Sequence, residues 1–544
     1  MACLFIEARH GLHLSYALTH DALSMKSILR FIPAYVVTGA ALGLAFPAAH
    51  LFPLAWVALV PLFVSTWRCG ARDSFRRFFL AGFLFYLVIL HWLLTNVYWA
   101  GGWAVWGYVA LSAIMALYWG IIGWSWALVR SRLPWVPPVL VLVVLWVGME
   151  HAQSFLFTGF GWGALGYSQG PDLALAQWAA IGGVPLLSGL LVGVNGLLAG
   201  VIADGTRRVP RIACAICVVA GAHGAGAMML APADYGEQTF NVGLIQSDFP
   251  LEMKWDPEYT SEMVRNAADK SRVLAGEGDV DLFVWPESLV MDDIETPGIW
   301  EPIESMTRET GVPLFTGTMR TNAQTRGDLN SSQLIAPDGQ IKATYDKIHL
   351  APFGEYVPFG KYLPFIKKVV PAIGEVEAGT ELKTIAVGER TMGPLICFEV
   401  LFPAMASRLR AEGADFLVVI TNLAWFGASS ALDQELEVAR MRAIEARMPL
   451  VHDANSGITG VFDPYGRFEL VDIYFDGHGN AYRFEHLEPT NTRMERLGGV
   501  LPVSHAAERP VPFSVLAIPN ATLVAGIALT VLAGVYRRRD AGAQ

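Results

Sequence analysis

Three short segments carry side chains able to activate one another: Glu287 in VWPES, Lys347 in YDKIHLAPFGEYVPFG and Cys397 in GPLICFEVLFP. A thiol attacks as its thiolate, and with an ordinary pKa of about 8.5 only a few per cent is ionised at neutral pH. A nucleophilic cysteine therefore needs a base or a nearby cation. A partly buried Glu287 is able to take the thiol proton, and a protonated Lys347 to stabilise both the thiolate and the oxyanion formed when a carbonyl is attacked. Each residue alone has an ordinary structural use: a buried cysteine packs, a glutamate after proline caps a helix, and a lysine in a polar loop is solvated. The combination points to covalent chemistry at a carbonyl.

The elements that must position these residues lie between 240 and 490, where short β-rich runs alternate with helical stretches. Strands are expected at 240–245, 281–285, 312–317, 332–335, 393–396, 416–421 and 450–453, and helices at 258–275, 399–411 and 431–447. In the last helix Leu436, Ala439, Arg440 and Ile444 recur at helical spacing. Turns are expected at 338–339 and 464–466. Two strands run out at Trp285-Pro286-Glu287 and at Ile396-Cys397. Polar groups thus stand where apolar runs stop, the usual place for a site in an open α/β sheet.

Composition changes sharply near residue 235. Apolar residues make up 53% of the chain and the mean hydropathy is +0.40, high for a soluble enzyme. A membrane span needs roughly 20 apolar residues. Candidate spans fall at 29–48, 53–67, 78–98, 104–129, 137–155, 175–203, 212–231 and 513–536, the second being short and the fifth containing Glu150 and His151. Basic residues mark alternate loops: Arg68, Arg72, Arg76 and Arg77, then Arg130 and Arg132, then Arg207, Arg208 and Arg211, and finally Arg537, Arg538 and Arg539. By the positive-inside rule these loops are cytoplasmic, which puts the soluble part outside the cytoplasm. The expected organisation is a tail at 1–24, a seven-span domain at 25–231, an extracytoplasmic catalytic domain at 232–510, and a last helix with a short basic cytoplasmic tail at 511–544. Met25-Lys26 opens directly onto an apolar run, so Met25 is an alternative start.

Five cysteines occur, and only Cys397 falls in the soluble part. Cys214 and Cys217 have redox-motif spacing inside an apolar run, where packing is the expected role. A lone thiol in an oxidising compartment has no intradomain disulfide partner, so its presence calls for another reason. The net charge of -10 and a pI near 5.7 give no basis for a nucleic-acid partner. No metal cluster, phosphate-binding glycine loop or nucleotide fingerprint is evident, and no cofactor is expected. His91, Asn96, Glu150 and His151 are polar residues of the membrane half; support of the domain or lining of a lateral lipid entrance suffices for them.

The order Glu-Lys-Cys in WPES, KIHLAPFGEYVP and CFE resembles the nitrilase superfamily, whose members share an αββα sandwich. Within it the chain resembles the apolipoprotein N-acyltransferases, through FTGFGWGALGYSQ at 157–169, MKWDP at 253–257, AWFG at 424–427 and ARMRAIEARMPL at 439–450. The resemblance covers almost the whole chain. It implies a polytopic α-helical membrane domain joined to a nitrilase-like sandwich in a bacterial inner membrane, with the catalytic domain on the periplasmic side. It also implies two-step acyl transfer, with Glu287 as base, Lys347 as oxyanion donor and Cys397 as nucleophile. The donor would be a phospholipid, typically phosphatidylethanolamine, and the acceptor the α-amine of a diacylglyceryl-cysteine at an apolipoprotein N-terminus. Glu355 and Glu399 would support the triad, with Glu399 equally readable as a helix-start carboxylate. Trp255 and, in AWFG, Trp425 would contact lipid.

The chain departs from the family pattern at Phe398, where Tyr is usual after the nucleophile, at Leu423, where an acidic residue is common, and at Glu435, where His is expected. These changes bear on local polar contacts and acceptor preference rather than on the triad. The stretch 353–373 is rich in aromatics and prolines and carries Lys361, Lys367 and Lys368. Such a loop is suited to dip into a leaflet, with Phe365 and Ile366 as the lipid-facing pair. Two other readings use the same residues: a membrane-tethered amidase or nitrilase acting on a small C–N substrate, and a non-catalytic transporter or receptor for which Cys397 would be dispensable.

Overall fold

The computed structural model describes residues 33–230, 239–249, 251–254, 256–358, 375–471, 473–475, 481–483, 496–504 and 514–541. The tail at 1–24, Met25, Trp255, Phe365, Ile366 and the lysines at 361, 367 and 368 lie outside them.

Apolar side chains in the first 230 residues run round the helices instead of forming one stripe, as they do where the surroundings are apolar on every side. The helices are α1 (Ala34–Ala45), α2 (Val60–Thr66), α3 (Ala71–Ile89), α4 (Trp103–Arg132), α5 (Pro138–Gln153), α6 (Ala179–Ala203) and α7 (Arg208–Met229). With no water to drive association, close fit holds such helices together. Gly123 of α4 faces α3 so closely that a Cβ there would lie 2.6 Å from the Phe78 ring. The expected run at 53–67 is not one helix: a 3-10 turn at Phe52–Trp56 precedes α2. Asn195 of α6 fastens that turn, accepting from the Leu59 amide at 2.9 Å and donating to the Ala55 carbonyl at 2.8 Å. Helix α6 itself breaks at Gly182 and Gly183, just before Pro185.

The soluble part contains two sheets. The strands that position the site are β1 (Thr239–Leu244), β2 (Leu282–Val284), β3 (Leu314–Thr321), β4 (Asp328–Ile335), β5 (Ile341–Asp346), β8 (Arg390–Ile396), β9 (Phe416–Thr421) and β10 (Leu450–Ala454). The remainder are β6 (Val376–Glu377), β7 (Ile385–Val387), β11 (Gly460–Phe462), β12 (Phe468–Leu470), β13 (Ile473–Phe475), β14 (Ala481–Arg483) and β15 (Arg496–Ser504). One sheet is nine-stranded, in the order β14-β13-β15-β1-β2-β3-β4-β5 with β6 on β4; the other is six-stranded, in the order β12-β11-β10-β9-β8-β7. Strands β1, β2 and β3 are parallel, as are β8, β9 and β10. Helices α8 (Pro257–Glu277) and α9 (Trp300–Thr310) belong to the first sheet, α10 (Pro403–Ala411) and α11 (Ser430–Ala446) to the second, and α12 (Ser514–Ala541) closes the chain.

The period-2 alternation of β2 shows the layering. Leu282 and Val284 join a core shared with Leu395, Leu417 and Val419 of the second sheet, while Phe283 joins Met263 and Ile303 beneath α8 and α9. The result is the expected αββα sandwich. The helix expected at 399–411 is divided into a 3-10 turn at Cys397–Leu401 and α10, because Pro403 pushes Phe402 to an extended conformation (φ -101°, ψ 98°). Among the described residues four helices are long and apolar enough to cross a membrane: α4, α6, α7 and the 517–535 part of α12.

Candidate active site

Glu287 follows β2, Lys347 follows β5 and Cys397 follows β8, so three strand ends from two sheets converge. Cys397 opens the 3-10 turn with φ +51°, a left-handed backbone that side chains other than glycine adopt only where surrounding structure holds them. Such an elbow turns the sulphur out of the sheet end, as in strand-to-helix nucleophile turns. Glu287, on the other sheet from Cys397, is held by the close approach of its own neighbouring strand: a Cβ on Gly317 of β3 would stand 2.7 Å from the Glu287 Cα and 2.6 Å from the Ser288 amide nitrogen.

Lys347 is buried, and its Nζ lies 3.3 Å from Glu287 Oε1 and 3.0 Å from the Glu355 carboxylate. Burial alone would pull the amine down; Glu287 and Glu355 overcome it and hold the ammonium well above its ordinary pKa. The cation is therefore permanent at neutral pH. Asn330 of β4 ties the two carboxylates together, its Nδ2 donating to Glu287 Oε1 at 2.8 Å and to Glu355 Oε1 at 2.7 Å. Its carbonyl also accepts from the Lys347 amide at 2.8 Å. Glu355 Oε2 in turn accepts from the Ala351 amide at 2.7 Å.

The Cys397 thiol is pushed well above its usual range by burial and by the Glu287 charge, while Lys347 and a hydrogen bond from Thr421 pull it back. The resting sulphur is thus a neutral thiol, and a thiolate forms only as its proton is taken. Glu399 is not a simple helix-start carboxylate. Fully buried, its Oε1 accepts from the Tyr345 hydroxyl (2.8 Å) and the Ile348 and His349 amides (2.7 and 3.1 Å), and its Oε2 from the Ile396 amide (2.8 Å). Glu399 clasps the strand carrying Cys397 to the strand end carrying Lys347. Burial pushes its carboxyl up to about 7 against these donors. His349 stacks on Phe402 with ring centroids 4.1 Å apart, a structural role. The Phe398 ring lies 5.5 Å from Phe402 and 6.4 Å from Phe160 of the helical part. Trp425 sits in a 3-10 turn, and its carbonyl accepts from the Thr95 hydroxyl of the helical part at 3.3 Å.

Three residues of the site stand outside the reach of sequence reasoning: Asn330, Thr421 and Lys254. Lys254 is buried, donates to the Glu287 carbonyl at 3.1 Å and is pushed down to about 7 by burial. It does fall within MKWDP, a motif in which the neighbouring tryptophan is the more conspicuous residue. A cavity of about 600 Å³ opens between the helical and soluble parts, lined among others by Glu150, His349, Tyr356, Phe402, Arg442 and Glu445. It adjoins the site through Ile348 and Leu401, but Glu287, Lys347 and Cys397 do not line it. Among the described residues no group of three or more His, Cys, Asp or Glu is arranged to hold a metal ion.

An αββα sandwich with a cysteine, a lysine and a glutamate gathered at its strand ends is a fold of the nitrilase type, here carried on a bundle of apolar helices. Comparison with known proteins agrees on both halves. The apolipoprotein N-acyltransferase N-terminal domain matches residues 38–197, and the carbon-nitrogen hydrolase family matches residues 241–472. An apolipoprotein N-acyltransferase of Geobacter metallireducens is 35% identical over 81% of this chain and 86% of its own length; one of Gloeobacter violaceus is 34% identical over 80% and 84%. The Saccharomyces cerevisiae Nit3 structure, from the nitrilase superfamily, covers 44% of this chain and 87% of its own at 17% identity, with a TM-score of 0.33. The chain belongs to the apolipoprotein N-acyltransferase family.

Proposed function

We propose that this membrane protein transfers a fatty acyl group from a phospholipid, phosphatidylethanolamine being the expected donor, to the N-terminal amine of the diacylglyceryl-cysteine of an apolipoprotein. The observation that carries the reading is the Cys397 elbow beside the Lys347 cation, which is itself held between Glu287 and Glu355. In the first step Glu287 takes the thiol proton as the sulphur attacks the ester carbonyl, and Lys347 stabilises the oxyanion. Collapse breaks the acyl C–O bond; Glu287 returns the proton to the departing alkoxide, and lysophospholipid leaves a Cys397 thioester. In the second step the acceptor amine attacks the thioester, its proton goes to Glu287, and the C–S bond breaks to give the amide and regenerate the thiol.

Glu355 and Asn330 position the Lys347–Glu287 pair in this scheme, and Glu399 positions the elbow. Trp255, Trp425, Phe365 and Ile366 are the proposed lipid contacts. The proposed organisation keeps the sequence boundaries, with eight spans, the 232–510 domain on the periplasmic face of the inner membrane, and the arginine-rich loops in the cytoplasm. Supporting this, the basic loops gather at one end of the bundle. Arg68 donates to the Ala203 carbonyl, Arg130 to that of Cys69 and Arg132 to that of Ala533.

Intact-mass measurement after incubation with phosphatidylethanolamine, then with a diacylated lipopeptide, tests the proposal on the wild type and on Cys397→Ser. An acyl mass on the wild type alone, discharged onto the peptide amine, is the expected result. Hydrolysis of soluble amides with no acyl adduct from lipid would replace this reading by the tethered amidase.

A further inference from the structure

Lys254 is a buried amine that the two acyl-transfer steps leave without a role. It is 1% exposed, and its Nζ donates to the main-chain carbonyl of Glu287 at 3.1 Å. Lys347, the other fully buried lysine of the site, sits between two carboxylates, whereas among the described residues no carboxylate pairs with Lys254. Burial pushes the Lys254 amine down to about 7, with the Glu287 charge opposing. A side chain whose charge is disfavoured in its own site calls for a reason beyond packing, since a methionine or leucine would fill the space without that cost.

The carbonyl that Lys254 takes belongs to a strained turn. Ser288, the next residue, has φ +52°, a left-handed backbone that a residue other than glycine keeps only where its surroundings hold it. The peptide joining Glu287 to Ser288 is pressed against Gly317 of β3, whose added Cβ would lie 2.6 Å from the Ser288 amide nitrogen. Among the described residues no other group donates to the Glu287 carbonyl, so without Lys254 a buried acceptor has no partner. Ahead of Glu287 the chain is tied to α8, the Trp285 indole donating to Ser271 Oγ at 3.0 Å. Lys254 is presented from the start of that helix. It ends a single helical turn, Leu251–Lys254, and the Asp256 amide donates back to the Met253 carbonyl at 3.2 Å. The Asp256 carboxylate then caps α8, accepting from the Glu258 amide at 3.0 Å.

We propose that Lys254 is a positioning residue for the base: by holding the Glu287 carbonyl it keeps the Glu287–Ser288 peptide in its left-handed turn, and so keeps the Glu287 carboxylate on Lys347 and Asn330. Without that donor the peptide relieves its strain by carrying Ser288 to a negative φ, and the turn that aims the carboxylate is lost. The amine keeps an N–H to donate whether it is charged or neutral, so the hold persists on both sides of its titration. No proton passes through Lys254 in this role, and Glu287 remains the group that takes the thiol proton. The inference rests on Glu287 as the base, and not on the identity of the acyl donor.

The test follows acyl-enzyme formation by intact mass in a single turnover, on the full chain in detergent with increasing phosphatidylethanolamine. Lys254→Met fills most of the same volume and has no donor. It is expected to slow the rate at saturating donor by about 10- to 100-fold, as losing one hydrogen bond and leaving a buried carbonyl unpaired would do. The donor concentration at half-saturation should stay within about twofold, because the lipid contacts are untouched. Ser288→Gly gives the readout that a loss of packing would not move. Glycine takes φ +52° without strain, so the turn no longer needs an outside hold. The double variant Lys254→Met/Ser288→Gly is therefore expected to be acylated at least about fivefold faster than Lys254→Met alone. A wild-type rate in Lys254→Met, or a double variant no faster than Lys254→Met, overturns the inference. Should Lys254→Met not fold, Lys254→Gln, one bond shorter than lysine, takes its place in the same comparison. Glu287→Gln separates the two readings. If it is slow while Lys254→Met keeps the wild-type rate, the positioning role alone is removed; if it is acylated at the wild-type rate, the base is removed and the positioning role with it. A wild type that lipid does not acylate would remove the proposed donor, and the same variants are then compared on a soluble amide.

Discussion

Asn330 decides whether two carboxylates can share one lysine. Glu287 and Glu355 both contact Lys347, and two like charges brought so close repel unless donors are shared between them. A single Nδ2 donating to both, at 2.8 and 2.7 Å, keeps each an acceptor and leaves Glu287 able to receive the thiol proton. Replacing Asn330 with Leu removes two hydrogen bonds to charged groups while keeping the volume, and each such bond contributes roughly 1.5–3 kcal/mol. Acyl-enzyme formation in a single turnover is therefore expected to slow by about 10- to 100-fold, with the protein still folded. Intact-mass time courses of the wild type and Asn330→Leu check this; an unchanged rate would mean that Lys347 alone organises the carboxylates.

At the scale of elements, the site depends on how closely the β2 end approaches β3. Gly317 is the point of contact, and a methyl group there would press on the backbone of Glu287 and Ser288. Backbone cannot swing aside as a side-chain tip does, so the strain falls on the position of the base. Gly317→Ala is expected to cost about 1–3 kcal/mol of stability and to lower acyl transfer, whereas alkylation of Cys397 by iodoacetamide persists because the elbow lies on the other sheet. Parallel measurement of melting temperature, acyl transfer and alkylation separates these effects. The role of Gly317 is not legible in the sequence, whereas the ends of β2 and β8 are, because an apolar run meets a polar residue at each. Strand β5 leaves a faint pattern, since IKATYD has few apolar residues and is only partly buried. Lys347 accordingly looks like a loop residue, although β5 delivers it. Helix α9 is hidden in the same way: Pro302 near its start obscures a pattern in which Ile303, Met306 and Thr307 are buried. Asn330 and Thr421 give no signal, because a polar residue in a strand looks alike whether it faces solvent or a buried site.

The whole molecule works only if a soluble sandwich is fixed against apolar helices, and α11 is the element between them. Nearly all its faces are buried, which explains why its helical spacing shows no polar side. Glu445 Oε1 accepts from the Val184 amide at 2.9 Å, the donor left free where α6 breaks before Pro185, so a flaw in a membrane helix becomes an attachment point. Gln434 saturates the junction. Its Oε1 accepts from the indoles of Trp92 (3.2 Å) and Trp162 (2.6 Å), and its Nε2 donates to the carbonyls of Pro47 (3.0 Å) and Ile89 (3.1 Å). An amide has two acceptor and two donor positions facing these partners, and neither a carboxylate nor an alkyl group matches them. Gln434→Leu would strand two indole N–H groups and two backbone carbonyls in a buried contact, at about 1–3 kcal/mol for each group left unpaired. A loss of more than about 3 kcal/mol is expected. Arg408→Ala, which removes only an exposed pair with Glu412, should stay within about 0.5 kcal/mol of the wild type. Thermal unfolding of both variants in detergent compares them directly. A melting temperature for Gln434→Leu no lower than that of Arg408→Ala would mean that apolar packing alone joins the sandwich to the helices.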